Sequence, residues 1–136
     1  MKPINVPTIP VDVAVERVTL FRERMTKSAD VPQNAIPRAI LIPISDLLAI
    51  VSKYTTTDSD GEVVSKIEGV RAYFAITPSD KDLPDPVTAL VVPVDHEGND
   101  IINLPGSNDV FDDTEIYDFT KPCPDQCDPE SPLYVP

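Results

Sequence analysis

The chain has 136 residues, a net charge of −12 at pH 7, 16 prolines, two cysteines and one histidine. A chain of this length can bury the core of one domain without metal ions or disulfides. The negative charge argues against nucleic acid and anionic membranes as partners, because both bind basic surfaces. Residues 95–136 carry 11 acidic residues and one basic residue, Lys121. This acidic part suits solubility, a basic protein partner or divalent cations.

Neither a membrane segment nor a secretion signal is predicted. No stretch approaches the ~18 consecutive apolar residues of a membrane span. Prolines interrupt residues 1–7, where a signal peptide needs an unbroken apolar core. The sequence therefore predicts a cytoplasmic protein, and in that compartment Cys123 and Cys127 are expected to be thiols.

The first half of the chain predicts two helices and a short strand. In chain order, the predicted elements are an extended arm at 1–10, a helix from about 10 to 27, a loop at 28–38, a strand at 39–42 and a second helix from 46 to about 54. The first helix is predicted because apolar residues recur at steps of three and four. Pro43 ends the strand, and Ser45 is the expected N-cap of the second helix, whose broad apolar stripe predicts deep burial.

The second half predicts mainly strands. Its elements are a polar loop at 55–61, one helical turn at 62–68, strands at 70–76, 87–94, 101–103 and 115–119, and a hairpin loop at 95–100. Gly69 is expected to close the helical turn. The strand at 70–76 alternates with a period of two, whereas the strand at 87–94 is apolar on both faces and is expected to be covered on both.

These elements predict an α+β fold. An antiparallel sheet of three to five strands in the second half is expected, with two helices from the first half packed on it and an extended proline-rich tail. The expected organisation is an N-terminal arm at 1–10, a single domain at 11–119 and a Pro- and Cys-containing acidic tail at 120–136.

The C-x3-C pair of Cys123 and Cys127 is a weak candidate for metal binding. It could supply half of a tetrahedral zinc site, with His96 and an aspartate as the remaining candidate ligands. Structural zinc sites usually have a second Cys or His pair, and this chain has one histidine. A redox pair favours C-x-x-C at the start of a helix, which the flanking prolines forbid. A metal- or redox-linked protein is therefore the alternative function, and no cofactor is expected.

Acidic loops raise the hypotheses of a calcium site or a carboxylate enzyme. Asp58–Glu62 is similar to part of a calcium loop, but the end positions of that pattern fall on Thr56 and Ile67, which lack the required carboxylates. A denser acidic cluster, of the kind that is usually solvated, consists of Asp109, Asp112, Asp113 and Glu115. A small enzyme with a carboxylate site is the third hypothesis, and no catalytic residue is predicted.

Leu133, Tyr134 and Val135 form an apolar triplet in the acidic tail. A soluble protein normally buries such a triplet, and proline-rich segments lose little conformational freedom on binding. These residues, with Cys123 and Cys127, are candidates for contact with a protein partner or a second copy. The function expected from the sequence is a non-catalytic protein–protein interaction or assembly module that uses its acidic C-terminal segment.

Three segments resemble a group of small bacterial proteins of unknown function. Gly69–Ala75 matches a G-V-R-x-Y-F-A strand, and residues 118–127 match a D-F-x-x-P-C-P-x-x-C ending. Ala89–Val94 is similar to an L-V-x-V strand, but Pro93 stands where that pattern has its last valine. The resemblance covers about the second half of the chain and implies common descent. It implies no activity, cofactor or catalytic residue.

Overall fold

The protein is of mixed α+β type. A computed structural model describes residues 6–29, 36–76, 87–103, 114–123 and 127–136. Its elements are α1 (Val11–Ala29), β1 (Ala39–Leu41), α2 (Ile44–Lys53), β2 (Thr55–Thr57), β3 (Val63–Ser65), β4 (Gly69–Ile76), β5 (Val87–Val94) and β6 (Lys121–Cys123). In the described ranges, neither helix combines the length and apolar content needed to cross a bilayer.

The chain divides into two compact units. The terminal unit contains residues 1–38 and 127–136, and the sheet unit contains residues 39–126. The predicted organisation of one domain over residues 11–119 is a different division of the chain and stays a prediction.

α1 is the helix of the terminal unit. Its first turn contains Asp12 and its last turn Lys27, which suits the positive and negative ends of the helix dipole. Val11 and Phe21, two of the apolar residues whose spacing predicts this helix, are exposed, whereas Arg22 is buried. The buried side of α1 thus includes Arg22, whose burial the spacing of apolar residues does not predict.

α2 begins two residues earlier than predicted, and its N-cap is Pro43 rather than Ser45. Pro43 has an extended backbone, and its carbonyl accepts a hydrogen bond from Leu47 N at 3.2 Å. No side-chain oxygen caps this helix. The prediction of a serine cap was wrong because the backbone of Pro43 already leads into the first turn, which leaves Ser45 inside the helix.

β2 and β3 form an antiparallel hairpin where the sequence predicted a polar loop and a helical turn. Asp58 closes the hairpin, because its Oδ1 accepts hydrogen bonds from the backbone N of Asp60 and Glu62, at 2.9 and 2.8 Å. Gly61 has a φ of 80°, which favours glycine. The prediction failed because β-branched residues flank this turn on both sides and favour strands.

The loop after β5 repeats this turn. Asp95 Oδ1 accepts hydrogen bonds from the backbone N of Glu97 and Asn99, both at 2.9 Å, and Gly98 has a φ of 88°. The backbone hydrogen bonds, first that from Asn99, lower the pKa of Asp95. Because Val94 bridges Asp100 across this loop, the predicted turn at 95–100 forms. The strands predicted at 101–103 and 115–119 do not form; these segments make only isolated bridges.

β4 and β5 pair antiparallel along their full length of eight residues. The second edge of β5 is also occupied, because Val91 and Tyr117 exchange backbone hydrogen bonds of 2.9 and 2.8 Å. Thr120 Oγ1 forms two further hydrogen bonds at this edge. It accepts one from Ala89 N and donates one to Ala89 O, both at 2.9 Å. The described strands form three two-stranded sheets, so the predicted sheet of three to five strands stays a prediction.

The hydrophobic core of the sheet unit brings together α2, β5 and the segment after residue 114. It consists of Ile50, Tyr54, Ile67 and Val91, with Ile101, Tyr117 and Phe119 packed against them. Six residues of β5 are buried and two are half-buried, which confirms its predicted coverage on both faces. Leu48 and Val51 of α2 are exposed, so the buried stripe of this helix is narrower than predicted.

Candidate functional site

β4 exposes apolar side chains on both of its faces. Seven of its eight residues are exposed and the eighth is half-buried. Phe74 is 82% exposed, although its cross-strand neighbour Ala89 is fully buried. Ile76 lies on the same face as Phe74 and Tyr73 on the opposite face, and they are 63% and 47% exposed. Clustered apolar exposure of this kind marks interaction surfaces.

The outer edge of β4 is the edge opposite β5. Within the described residues, no strand pairs with it. Its backbone N–H and C=O groups can therefore accept a further strand, as exposed sheet edges do in strand-addition complexes.

β4 carries one charged residue, Arg71, and this charge is compensated locally. Arg71 forms a salt bridge with Asp100 and donates to the carbonyl of Gly98 at 3.4 Å. The hydroxyl of Tyr73 donates to the other carboxylate oxygen of Asp100. β4 therefore presents an apolar strand without a net charge.

Glu115 forms a buried polar cluster with α2, and its side chain is 2% exposed. Its Oε1 accepts a hydrogen bond from Lys53 Nζ at 2.6 Å. Its Oε2 accepts hydrogen bonds from the hydroxyl of Tyr54, at 2.7 Å, and from the hydroxyl of Tyr117. Both carboxylate oxygens are thus paired, as the burial of a charge requires.

The pKa values of the groups in this cluster are shifted away from pH 7. Burial acts to raise the pKa of Glu115, but hydrogen bonds from Lys53 and the two tyrosines outweigh it, so this pKa is lowered. Burial and the hydrogen bond to Glu115 raise the pKa of Tyr54 and of Tyr117. The hydrogen bond to Glu115 raises the pKa of Lys53. Because each group keeps its ionisation state around pH 7, none of the four is suited to proton transfer there.

A groove of about 350 Å³ lies beside the cluster. It is lined by Asp46, Ala49, Ile50 and Lys53 of α2 and by Tyr117, Asp118 and Phe119. The α2 residues are spaced so that they share one face of the helix. Lys53 is the cation of this lining and is already paired with Glu115. The groove therefore combines apolar and acidic surface.

The predicted contact triplet lies in the terminal unit and is partly buried. Val135 is 7% exposed. The guanidinium of Arg38 lies over the ring of Tyr134, 3.9 Å from its centroid, and Arg38 also donates to the carbonyl of Val135. Leu133 and Tyr134 remain 46% and 38% exposed. The C-terminal segment thus packs within its own unit.

Cys123 and Cys127 are disulfide-bonded, which corrects the expectation of thiols. That expectation rested on the redox state of the cytoplasm, whereas the bond depends on the approach of two cysteines that are four positions apart in sequence. A disulfide leaves no thiolate to bind zinc. In the described part of the chain, no group of three or more metal-ligating side chains comes together.

His96 forms hydrogen bonds with Glu68 and Ser65 rather than a site with the cysteines. Its Nδ1 lies 2.7 Å from Glu68 Oε2, and its Nε2 lies 2.8 Å from the carbonyl oxygen of Ser65. Both partners accept hydrogen bonds, so the protonated imidazole suits them best. Accordingly, the hydrogen bonds to Ser65 and Glu68 raise the pKa of His96.

Sequence reasoning missed the burial of Glu115. It grouped this residue in a solvated acidic cluster with Asp109, Asp112 and Asp113, which lie outside the described residues. One available signal was the period of two that places Glu115 on the same side as Tyr117 and Phe119. The sequence gives no sign that Lys53 and Tyr54 meet this side.

Comparisons with protein-family models, curated proteins and solved structures find no match to this chain. The resemblance of Gly69–Ala75, Ala89–Val94 and residues 118–127 to small bacterial proteins therefore stays a prediction. The function has to be inferred from the surfaces of the molecule.

Proposed function

We propose that this protein is a non-catalytic assembly module that associates with a second copy of itself through β4. The proposal rests on the exposure of Phe74. This side chain is 82% exposed, although the strand that pairs with β4 is mostly buried. Covering such a side chain removes apolar surface from water and favours association. The outer edge of β4 supplies the backbone groups that a further antiparallel strand needs.

Charge supports a contact between copies at this place. Each chain has a net charge of −12, so two copies repel each other. A contact between them therefore needs a surface of low charge. β4 meets this condition because Arg71 is paired with Asp100.

The sequence of β4 is complementary to itself in an antiparallel pairing centred on Ala72. This register places Val70 opposite Phe74 of the partner subunit. It also places Arg71 opposite Tyr73 of the partner subunit, and the two-fold symmetry repeats both pairs. Aliphatic–aromatic pairs across strands contribute about 0.2–1 kcal/mol each, and an arginine against a tyrosine ring contributes a similar amount.

The other hypotheses have less support. The C-terminal segment is a weaker contact element than β4 because Val135 is already buried. The disulfide removes the thiolates that metal binding by the cysteine pair needs, and the Glu115 cluster offers no proton donor or acceptor suited to pH 7. A redox-linked role of this pair stays the alternative hypothesis. A cytoplasmic location stays a prediction, and the disulfide weighs against a strongly reducing compartment.

Sedimentation-velocity ultracentrifugation over a wide concentration range tests the proposal. The wild-type protein is expected to shift from monomer to dimer as its concentration rises. Phe74→Lys is expected to weaken the dimer at least about tenfold, because lysine on an edge strand opposes strand addition. Val63→Lys is the matched control, since Val63 is 69% exposed on β3.

Circular dichroism establishes that each variant is folded before it is compared. A wild-type protein that stays monomeric at every concentration would reject the proposal. A dimer that Phe74→Lys leaves intact would reject β4 as its contact.

A further inference from the structure

The terminal unit contains a site that holds a short peptide segment of the same chain. The site consists of Arg22, Ile36 and Arg38, and its occupant is the segment Leu133–Pro136. Ile36 and Val135 are both buried, at 4% and 7% exposure. This site is separate from β4, which belongs to the sheet unit.

Arg22 binds the backbone of the segment from a buried position on α1. It is 2% exposed, and its Nε donates to the carbonyl of Pro136 at 3.3 Å. Its Nη1 donates to the carbonyl of Ile36 at 3.5 Å. A buried guanidinium is unfavourable unless its N–H groups have acceptors. The segment therefore supplies part of what Arg22 needs to be buried.

Arg38 contacts both a side chain and the backbone of the segment. Its guanidinium lies 3.9 Å from the centroid of the Tyr134 ring, within the range of a cation–π interaction. It also donates to the carbonyl of Val135. Arg38 thus contacts an aromatic ring together with the backbone of the next residue.

The conformation of the segment is set by its own hydrogen bonds. Ser131 N donates to Asp128 O at 3.1 Å, and Tyr134 N donates to Ser131 O at 3.0 Å. Leu133 N donates to Ser131 Oγ at 3.2 Å. Since these bonds lie within residues 128–136, a separate peptide of that sequence can form them. Such preorganisation lowers the cost of binding.

We infer that this site is a peptide-recognition site, and that it can bind the same C-terminal segment from a second copy of the chain. The occupant is identified by the structure itself, because this segment fills the site. Binding within one chain is favoured by the high effective concentration of the tethered segment. Binding between chains therefore becomes measurable when the segment of one chain has left its site. This inference does not depend on association through β4.

A labelled peptide and a full-length variant test the inference. The peptide covers residues 128–136, and the protein carries Val135→Asp, which disfavours the burial of its own segment. Fluorescence anisotropy is expected to show that the peptide binds this variant at least about tenfold more tightly than wild type, whose own segment competes. A full-length Tyr134→Ala protein serves as a second acceptor if Val135→Asp does not fold.

Substitutions in the site locate the binding. Adding Arg38→Gln to the acceptor, or Tyr134→Ala to the peptide, is expected to weaken binding about tenfold, because each removes the contact between guanidinium and ring. Arg17→Gln on the exposed part of α1 is the matched control. Folded acceptors that do not bind the peptide, or binding that Arg38→Gln leaves unchanged, would overturn the inference. Either result leaves the test of β4 unaffected.

Discussion

β4 and β5 are paired strands of equal length whose burial is opposite. Six residues of β5 are buried, whereas seven residues of β4 are exposed. Both strands are rich in apolar residues, so composition does not explain the difference. β5 has β4 on one edge and the segment around Tyr117 on the other, while the described residues give β4 a neighbour on one edge. The central position accompanies the burial of β5, and the packing of Ile50 of α2 and of Tyr54 around Val91 covers its side chains.

The difference in burial also assigns different roles to the two strands, folding to β5 and association to β4. Burial of β5 contributes to the free energy of folding, because its side chains leave water when the chain folds. The side chains of β4 leave water when a partner strand covers them. Substitutions on β5 and around its second edge are therefore expected to change stability, and substitutions on β4 to change association.

The largest effect is expected for Glu115→Ala, which acts on the segment along the second edge of β5. The change removes the acceptor of Lys53 and of two tyrosine hydroxyls, of which Tyr54 is buried. We expect the free energy of unfolding to fall by about 3 kcal/mol. Urea denaturation measures it, with Glu97→Ala on the exposed loop as control. A loss no larger than that of the control would contradict the role of this cluster.

The pH dependence of the same cluster gives a second measurement. Because folding lowers the pKa of Glu115, its contribution is fully present above the ordinary value of 4.5 and is lost as the pH falls through the lowered value. The acid limb of the wild-type stability curve is expected to be steeper than that of Glu115→Ala. Equal limbs would mean that Glu115 is not stabilised as an ion.

The next largest effect is expected when the same substitution, valine to alanine, is made on β5 and on β4. Val91→Ala is expected to lower the free energy of unfolding by about 2 kcal/mol, because Val91 is 1% exposed in the core. Val70→Ala on β4 is expected to change it by less than about 0.5 kcal/mol. Urea denaturation of both variants measures the contrast. Similar losses at the two positions would show that β4 is buried in the free protein.

A smaller effect is expected for Thr120→Val at the edge of β5. Thr120 Oγ1 bonds both the N and the O of Ala89, and the valine cannot replace these hydrogen bonds. We expect a loss of about 1.5 kcal/mol, because a buried backbone N–H is left without its acceptor. Thr120→Ser keeps the hydroxyl and is the matched control. Equal unfolding midpoints for the two variants would argue against these bonds.

The smallest effect is expected at His96, which joins the loop after β5 to Ser65 and Glu68 ahead of β4. The pKa of His96 is raised on folding. Its contribution is therefore fully present below the ordinary pKa of 6.5 and is lost as the pH rises through the raised value. Thermal unfolding is expected to show a decrease in Tm over this interval that His96→Gln abolishes. A decrease of the same size in the variant would assign it to other groups.

Patterns among neighbouring residues explain why some elements were predicted correctly and others were not. The period of two identified β4, but it does not say which face of the strand is covered, and the structure exposes both. The same reading of local signals assigned the chain around Asp58 to a loop and a helical turn, although a hairpin of β2 and β3 forms there. Strand pairing depends on a partner segment as well as on the residues of the strand itself.

The sequence by itself determined α1, α2, β4, β5 and the hairpin loop at 95–100, because these depend on residues that are close in the chain. A helical repeat, a strand alternation and an Asp–Gly turn each act over a few residues. The tertiary structure alone decided that β4 is exposed and that Glu115 is buried. Glu115 meets Lys53 across 62 residues of sequence, and no local pattern records such a contact.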